Sequence, residues 1–196
     1  MIKKEFTLNA LEKKVCIDLA RKSIKYYFEN SSILTLNKKD FDKLPKPLLE
    51  NKACFVTLTI NNQLRGCVGH LNAIQPLYED ILENACSAAF SDTRFSALSE
   101  EDYSKIKIEV SILTEPFDFE FKSSNELINS LVKGKDGLII RKGYHSATFL
   151  PSVWEEIDSK EEFLSHLCLK AGLAPDEWKN LGLKVQKYYA IKAKEV

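Results

Sequence analysis

The sequence predicts an α+β fold with a mainly antiparallel sheet and flanking helices. Three observations predict it: an amphipathic segment near the N-terminus, several segments in which apolar and polar residues alternate, and turn signals between neighbouring extended segments. The elements follow in the order helix, strand pair, helix, strand, short helix, strand pair, helix and strand. Strands joined by short turns pair antiparallel, so the sheet should be mainly of that kind.

The first helix and the first strand are separated by a long polar segment. Residues 8–29 predict a helix, because apolar residues recur at helical spacing and Asn9 can cap the first turn. Residues 30–52 are polar and contain two prolines, which predicts a connector with at most short structure.

A β-hairpin is predicted over residues 53–69. Residues 53–60 alternate between apolar and polar faces, and Asn61-Asn62 is a turn signal because asparagine tolerates a positive φ. Residues 64–69 should return as the second strand.

The later elements follow from the same signals. A buried helix is predicted over residues 76–90, a strand over 105–113, an extended segment over 117–121 and a short helix over 124–131. A hairpin follows over 138–150, then a helix capped by Ser159 over 159–171 and a last strand over 184–194. In the strand over residues 105–113, Ile108 and Val110 face one side, and Glu109 and Ser111 face the other.

Composition favours one soluble domain over residues 1–196. The chain has 28 lysines and arginines and 28 aspartates and glutamates. The excess of basic charge that is typical of nucleic-acid binders is therefore missing, although a local basic patch remains an open alternative. No apolar run reaches the ~20 residues that span a bilayer, and residues 1–9 lack the apolar core of a signal peptide. We therefore expect a cytoplasmic protein without a membrane segment.

The cysteines and histidines do not predict a metal site. The five cysteines are scattered, with no Cys-x-x-Cys, and should be reduced thiols that mostly pack as small buried hydrophobes. The three histidines lie far apart, and a facial triad such as His70, His166 and Glu109 stays open. No phosphate-binding glycine loop is present, and the sequence leaves the question of a cofactor open.

The segment Leu64-Arg65-Gly66-Cys67-Val68-Gly69 is the most informative for function. Glycine allows a close approach of another group, and Arg65 alternates with Cys67, so both can point to one face. A guanidinium beside a thiol favours the nucleophilic thiolate, which predicts a reactive cysteine or an anion-binding pocket. The competing interpretation is a bulged strand with a buried cysteine and a structural arginine, and buried inert cysteines are the commoner kind.

Other polar residues have a functional and a structural interpretation. Glu109 and Ser111 face a cleft or simply solvent, and Asp92 and Arg94 contact a substrate or only fix their loop. His70 follows the glycine motif and is a candidate base for Cys67, or an exposed turn residue. His166 should be half-buried and hydrogen-bonded on the late helix.

An ordered set of motifs resembles the AMMECR domain family, including the protein A type of the AmmeMemoRadiSam system. The hexapeptide from Leu64 to Gly69 is similar to that family's signature, and the resemblance covers roughly residues 8 to 194. The further matching motifs are Pro76-Leu77, Asp92-Thr93-Arg94-Phe95, Ile108-Glu109-Val110-Ser111, Gly137-Leu138-Ile139-Ile140, Phe149-Leu150-Pro151 and residues 162–168. Thr93 departs from the proline that the family commonly has, so that loop should be less rigid.

The resemblance implies a larger and a smaller lobe with a cleft between them, one lobe including the 53–69 hairpin. It implies a Memo-like protein and a radical-SAM protein as partners. The residues that it places in the cleft are Arg65, Gly66, Cys67, Gly69, Asp92, Arg94, Phe95, Glu109 and Ser111. It implies no particular reaction, because function depends on the site rather than on the fold.

Two functions are therefore weighed. In the first, the chain is an enzyme or enzyme component in which Cys67 is the nucleophile or redox thiol, Arg65 activates it and Glu109 is an acid/base. Gly66, Gly69, Asp92, Arg94, Phe95 and Ser111 would then contact the substrate. In the second, the same loop is the contact surface of a binding or adaptor domain without chemistry of its own. No small-molecule ligand is identified by the sequence.

Overall fold

A computed structural model describes residues 6–195 of the chain. These residues form two compact units, the first comprising residues 6–113 and 191–195 and the second comprising residues 114–190. The described residues form helices and two antiparallel four-stranded sheets. The predicted α+β fold class is confirmed.

The elements have the following bounds. The helices are α1 (Ala10–Asn30), α2 (Lys38–Phe41), α3 (Leu77–Phe90), α4 (Glu100–Tyr103), α5 (Ser124–Ser130) and α6 (Lys160–Lys170). The strands are β1 (Cys54–Ile60), β2 (Gln63–Gly69), β3 (Lys107–Leu113), β4 (Phe117–Phe119), β5 (Gly137–Lys142), β6 (His145–Phe149), β7 (Lys184–Tyr188) and β8 (Ala190–Lys194). Short 3-10 helices lie at Lys46–Leu49, Pro151–Glu155 and Glu177–Lys179.

Local sequence signals set several element ends. The Asn9 side chain accepts the Glu12 N–H at 3.0 Å, and the Glu12 carboxylate accepts the Asn9 N–H at 2.7 Å, so a capping box begins α1. Asn61 and Asn62 have φ angles of 51° and 63°, as the hairpin turn requires. Gly172, after α6, has a φ of 74°.

The sheet of the first unit has the strand order β2-β1-β3-β8 and carries α1 and α3 on one face. The residues of β1 and β3 on that face are fully buried, namely Cys54, Val56, Leu58, Ile108, Val110 and Ile112. The alternate residues point to the opposite face, where Thr57, Glu109 and Ser111 are half-buried. We call it the polar face; its members used below are Thr57, Cys67, Glu109, Ser111, Lys192 and Lys194.

The sheet of the second unit has the strand order β4-β7-β5-β6. Its core is centred on Phe163 of α6, whose ring stacks on Trp154 with ring centroids 3.7 Å apart. Trp154 also donates its indole N–H to the Asp136 carbonyl at 2.8 Å, which satisfies a buried polar group.

One strand prediction is wrong in its extent. The continuous strand predicted over residues 184–194 is two strands, β7 and β8, that belong to different sheets. The chain leaves the first unit at Thr114 and returns at this point. Tyr189 donates its N–H to Thr114 Oγ1 and accepts the Thr114 N–H, each at 2.9 Å. This pairing divides the strand, although alternation continues across it.

Candidate functional site

The strand that carries the motif, β2, contains a β-bulge. The pairing register with β1 shifts between Leu58 and Thr59, and Arg65 is the extra residue on β2. A bulge interrupts the strict alternation of side chains along a strand. The spacing of Arg65 and Cys67 alone is therefore not enough to place their side chains on one face, and that placement stays a prediction.

The two glycines of the motif are required by close contacts. A Cβ atom on Gly66 would lie 2.1 Å from the carbonyl oxygen of Ala88, which belongs to α3. A Cβ atom on Gly69 would lie 2.4 Å from the Cys54 carbonyl oxygen and 2.4 Å from Cγ of Phe55. The space that each glycine leaves is thus filled by the protein itself, and substrate contact at these glycines stays a prediction.

Asp92 and Arg94 bind the free edge of β2 at Cys67; we call these two residues the edge clamp. The Cys67 N–H donates to Asp92 Oδ2 at 2.8 Å, and Arg94 Nη2 donates to the Cys67 carbonyl at 3.2 Å. Arg94 also pairs with Asp92 through Nη2 at 2.8 Å and Nε at 3.0 Å. An edge strand with unpaired backbone groups invites pairing with another chain, and the clamp satisfies those groups at this position.

The electrostatics of the clamp follow from its geometry. Hydrogen bonds from Arg94 hold the pKa of the Asp92 carboxyl well below its usual range, against the opposing effect of burial and with help from the Cys67 N–H. The hydrogen bond to Asp92 in turn raises the pKa of Arg94. Asp92 is shielded, with 6% of its side chain exposed, whereas 55% of the Arg94 side chain is exposed. The pair stays charged over the physiological range.

Arg65 contacts the same loop as the clamp. Its Nη2 donates to the Ser96 carbonyl at 2.8 Å, and its guanidinium carbon lies 5.9 Å from the centre of the Phe95 ring. The guanidinium carbon of Arg94 lies 5.5 Å from the same ring. Among the described contacts, the guanidinium that reaches Cys67 is that of Arg94, and Arg65 ties β2 to the loop after α3.

Cys67 differs from the other cysteines in its surroundings. It is half-buried on the polar face, while the remaining four are buried: Cys16, Cys54, Cys86 and Cys168. Burial raises the pKa of each of those four thiols, to about 12 for Cys16. The Thr57 hydroxyl donates to Cys67 Sγ at 3.3 Å. Because the Cys67 backbone bonds to the clamp, Thr57 and Cys67 form a non-hydrogen-bonded pair, in which side chains approach closely.

Glu109 lies in the same cross-strand row as Thr57 and Cys67, that is, in the line of residues that are paired across neighbouring strands. Thr57 pairs with Cys67 on one side and with Glu109 on the other. Because neighbouring strands lie about 4.8 Å apart, the backbones at Cys67 and Glu109 are separated by roughly 10 Å. The row brings the thiol and the carboxylate onto one face, but at a distance that needs a substrate or a water between them.

Two lysines hold the Glu109 carboxylate. Lys194 Nζ lies 2.6 Å from Oε2 and Lys192 Nζ lies 3.3 Å from Oε1, and the Ser111 hydroxyl donates to Oε1 at 3.1 Å. Burial opposes the charged form, but the hydrogen bond from Lys194 and the charges of both lysines outweigh it and lower the pKa of Glu109. A carboxyl of this kind is ionised at neutral pH and is a poor general acid.

A second polar cluster surrounds Asp80 of α3, which is fully buried. Its carboxylate accepts the Cys54 N–H at 2.7 Å and amide hydrogens of Asn84 and Gln75, each at 3.0 Å. His70 Nδ1 lies 2.6 Å from Asp80 Oδ1, and it is the donor because a carboxylate only accepts. The ring expected as a base for Cys67 is therefore hydrogen-bonded to Asp80.

The structure also bears on His166 and on the possible metal triad of His70, His166 and Glu109. His166, expected to be half-buried and hydrogen-bonded, is exposed, because the buried side of α6 is formed by Phe163, Leu164 and Leu167. Residues 6–195 contain no group of three or more His, Cys, Asp or Glu side chains that could hold a metal ion. The triad of His70, His166 and Glu109 is therefore not formed by the described residues.

Sequence reasoning overlooked four residues of these clusters. Thr57, Lys192 and Lys194 lie on the polar face, and Asp80 lies in the core. The first three could have been found from the alternation of side chains along a strand. Thr57 lies between the buried residues Val56 and Leu58, and the two lysines lie on either side of the buried Ala193. The signal for Asp80 is a carboxylate on the apolar side of the helix, one turn after Leu77 and beside Ile81, which requires several donors when buried.

Comparison with known proteins finds similarity over most of the chain. The AMMECR1 family model matches residues 17–193. The chain is 38% identical to Protein SSO0193 of Saccharolobus solfataricus over 193 residues, covering 93% of this chain and 81% of that protein. It is 41% identical to Protein MK0488 of Methanopyrus kandleri over 176 residues, covering 85% of this chain and 80% of that protein.

A solved structure has the same fold. The crystal structure of the uncharacterized protein PH0010 from Pyrococcus horikoshii superposes with a TM-score of 0.81 at 34% sequence identity. The match covers 95% of this chain and 93% of that chain. Separately, none of the helices within residues 6–195 combines the length and apolar composition that crossing a bilayer requires.

Proposed function

We propose a function from one premise: this chain belongs to the AMMECR1 family. The proposal is that it is an enzyme or an enzyme component in which Cys67 is the reactive thiol, as a nucleophile or a redox group. The observation that carries the proposal is the placement of Cys67, half-buried on a polar sheet face, while the other four thiols lie in the core.

The surroundings of the sulfur support this role. The Thr57 hydroxyl donates to Sγ, and such a bond stabilises negative charge on sulfur. Arg94 places a positive charge next to the Cys67 backbone, where it is paired with the negative charge of Asp92. The thiolate is the reactive form of cysteine, so groups that stabilise it favour reaction. The proposal places the protein in the cytoplasm, where free cysteines stay reduced.

The other groups receive roles that match their contacts. The clamp, with Arg65, holds the strand that carries Cys67 and positions the thiol. Glu109, ionised between Lys192 and Lys194, is a substrate-orienting group or a proton acceptor through a bridging water, since it is roughly 10 Å from Cys67 along the row. Ser111 supports the Glu109 carboxylate by a hydrogen bond.

Alkylation of the native chain with iodoacetamide tests the proposal. Peptide mass spectrometry would follow each cysteine from about pH 6 to about pH 9.5, and Cys67 should react at least ~100-fold faster than the buried four. Thr57→Val removes the hydroxyl donor and should slow Cys67 about 2- to 10-fold, the effect of one modest hydrogen bond. Thr59→Val, on the same strand and face, is the matched control and should leave the rate unchanged.

Two results would reject the reactive thiol. One is a Cys67 that reacts no faster than a free model thiol at every pH, and the other is labelling of Cys67 only after unfolding. An equal slowing by Thr57→Val and Thr59→Val would reject the specific role of the Thr57 hydroxyl.

The second candidate function is a binding or adaptor domain that acts with Memo-like and radical-SAM partners. It is favoured by one observation: the charged groups near Cys67 already pair with each other, Asp92 with Arg94 and Glu109 with two lysines. Titration of the purified chain with the Memo-like and radical-SAM proteins of the same organism, followed by sedimentation velocity, separates the two functions. A complex that forms equally well with Cys67→Ser and whose activity is unaffected by it supports the adaptor. A complex whose turnover disappears with Cys67→Ser supports the enzyme.

A further inference from the structure

The second unit contains a groove lined by residues of β4, β5 and β7. The groove lies beside the end of the pairing between β4 and β7, which is at Phe119 and Val185. The groove has a volume of about 600 Å³. Small-molecule sites commonly have volumes of roughly 300–1,000 Å³, so this β4–β7 groove has the size of a ligand site.

Two positive charges lie side by side in the groove. Arg141 of β5 and Lys184 of β7 are direct cross-strand partners, and both line the β4–β7 groove. Neither side chain forms a hydrogen bond or ion pair with another residue of the described chain. Like charges directly opposite each other on neighbouring strands destabilise a sheet. An oxyanion placed between the guanidinium and the ammonium would relieve this repulsion and accept hydrogen bonds from both groups.

The rest of the groove offers apolar and aromatic surface. Phe119 and Phe121 both line it and also pack against the core of the second unit, with ring centroids 6.4 Å apart and planes inclined by 13°. Leu181 also lines the groove and has 63% of its surface exposed. A flat apolar group would cover these side chains and remove their surface from water.

Two carboxylates on the β4 side restrict where an anion can bind. Asp118 accepts a hydrogen bond from Gln186 at 2.9 Å, and Glu120 follows directly after the end of β4. Both would repel an anion placed near β4, so the favourable position is the one beside Arg141 and Lys184 on the neighbouring strands.

We propose that the β4–β7 groove binds a small ligand that carries a carboxylate or a phosphate on a flat apolar body. The oxyanion lies between Arg141 and Lys184, and the apolar body lies against Phe119, Phe121 and Leu181. This site is independent of Cys67 and of the function proposed for it, because every residue that forms it belongs to the second unit.

Titration of the full chain with four probes, followed by amide chemical shifts in two-dimensional NMR spectra, tests the proposal. Phenyl phosphate and benzoate combine charge with a ring and distinguish phosphate from carboxylate, inorganic phosphate supplies charge alone, and benzyl alcohol supplies the ring alone. We expect phenyl phosphate or benzoate to shift residues around the groove with a Kd at or below about 1 mM, and each single-feature probe to bind at least ~10-fold more weakly.

Variants identify the residues responsible. Arg141→Gln and Lys184→Gln should each weaken the better probe about 5- to 10-fold, as expected for the loss of one charge-assisted contact. Lys133→Gln changes an exposed lysine of the same unit that pairs with Asp158 outside the groove, and it should leave the Kd unchanged. Equal Kd values in all three variants, or no shifts around the groove at about 10 mM probe, would overturn the proposal.

Unfolding of the ligand-free protein provides a second readout. Arg141→Gln removes one of the two like charges, so it should raise the midpoint of thermal unfolding in low salt relative to Lys133→Gln, and the difference should shrink in high salt. If Arg141→Gln lowers the midpoint of thermal unfolding in low salt, the two cations do not destabilise the fold by repelling each other. That result would count against the proposed anion site.

Discussion

Substitution of Gly66 by alanine should destabilise the first unit strongly. The new Cβ atom would lie 2.1 Å from the Ala88 carbonyl oxygen, and the obstructing atom belongs to the backbone of α3. A carbon and an oxygen need about 3.2 Å, so strand and helix must separate by about 1 Å. A close-packed core resists such a shift.

The magnitude follows from the packing of α3. Nine of its fourteen residues are buried, so moving the helix disturbs much of the first core. Overpacking of a well-packed core typically costs about 1–3 kcal/mol, and a clash with backbone should lie at the upper end, near 3 kcal/mol. For a chain of this length that corresponds to a fall of about 6–12 °C in Tm.

Urea and thermal unfolding measured in parallel on two variants provide the assay. The matched control is Gly182→Ala, because nothing lies within 4 Å of a Cβ atom built there, and that variant should be neutral or more stable by up to about 1 kcal/mol. A Gly66→Ala protein within about 0.5 kcal/mol of the parent would refute the packing argument, since surface substitutions commonly have effects that small. The motif glycine would then need a functional explanation, such as approach of a substrate.

Three further predictions concern the clusters around the motif. Asp92→Asn should lower the free energy of unfolding by about 1–3 kcal/mol at pH 7, through loss of the charged contacts to Arg94 and Cys67. The folded protein holds the pKa of the Asp92 carboxyl below its ordinary value of 3.8, so this stabilisation is present above about pH 4 and is lost as the pH falls further. The free energies of unfolding of parent and variant, measured at pH 7, 5 and 3, should therefore differ least at pH 3. A difference that stays constant over this range would contradict the prediction. Asp80→Asn should cost about 2–4 kcal/mol in chemical denaturation, because an amide cannot accept from all the buried donors, and a change below about 0.5 kcal/mol would mean that the cluster is not needed. His70→Gln should cost less than Asp80→Asn in the same assay, because the histidine ring is 36% exposed and water can replace it, and the reverse order would contradict this account.

Features that depend on one segment were predictable from the sequence. The capping box of α1 needs only Asn9 and Glu12, and the hairpin turn needs only Asn61 and Asn62. Alternation along single strands likewise predicted that Glu109 and Ser111 would point away from the core face. The same pattern would have added Thr57 to the candidate site.

Features that depend on two segments were not predictable. The bulge at Arg65 exists only relative to the partner strand, so strict alternation alone does not place that side chain. The reason for Gly66 lies in α3, far away in the sequence. The division of the last predicted strand is set by pairing between Tyr189 and Thr114 and leaves no mark on local hydrophobicity.

The edge clamp shows why the candidate residues have to be separated by role. Asp92 and Arg94 were predicted as substrate contacts, and their hydrogen bonds go to each other and to the backbone of Cys67. They position the thiol whether or not they also touch a substrate. A role in substrate binding for either residue stays a prediction, and so do the proposed protein partners.

The most direct measurement is a time course of thiol labelling on the folded chain, read by intact-mass and peptide mass spectrometry. We predict that one adduct forms first, that it lies on Cys67, and that the four core thiols stay unlabelled until denaturant is added. Adducts that accumulate on several cysteines together, or a folded protein that takes up none, would contradict the claim that this strand presents its sulfur for reaction.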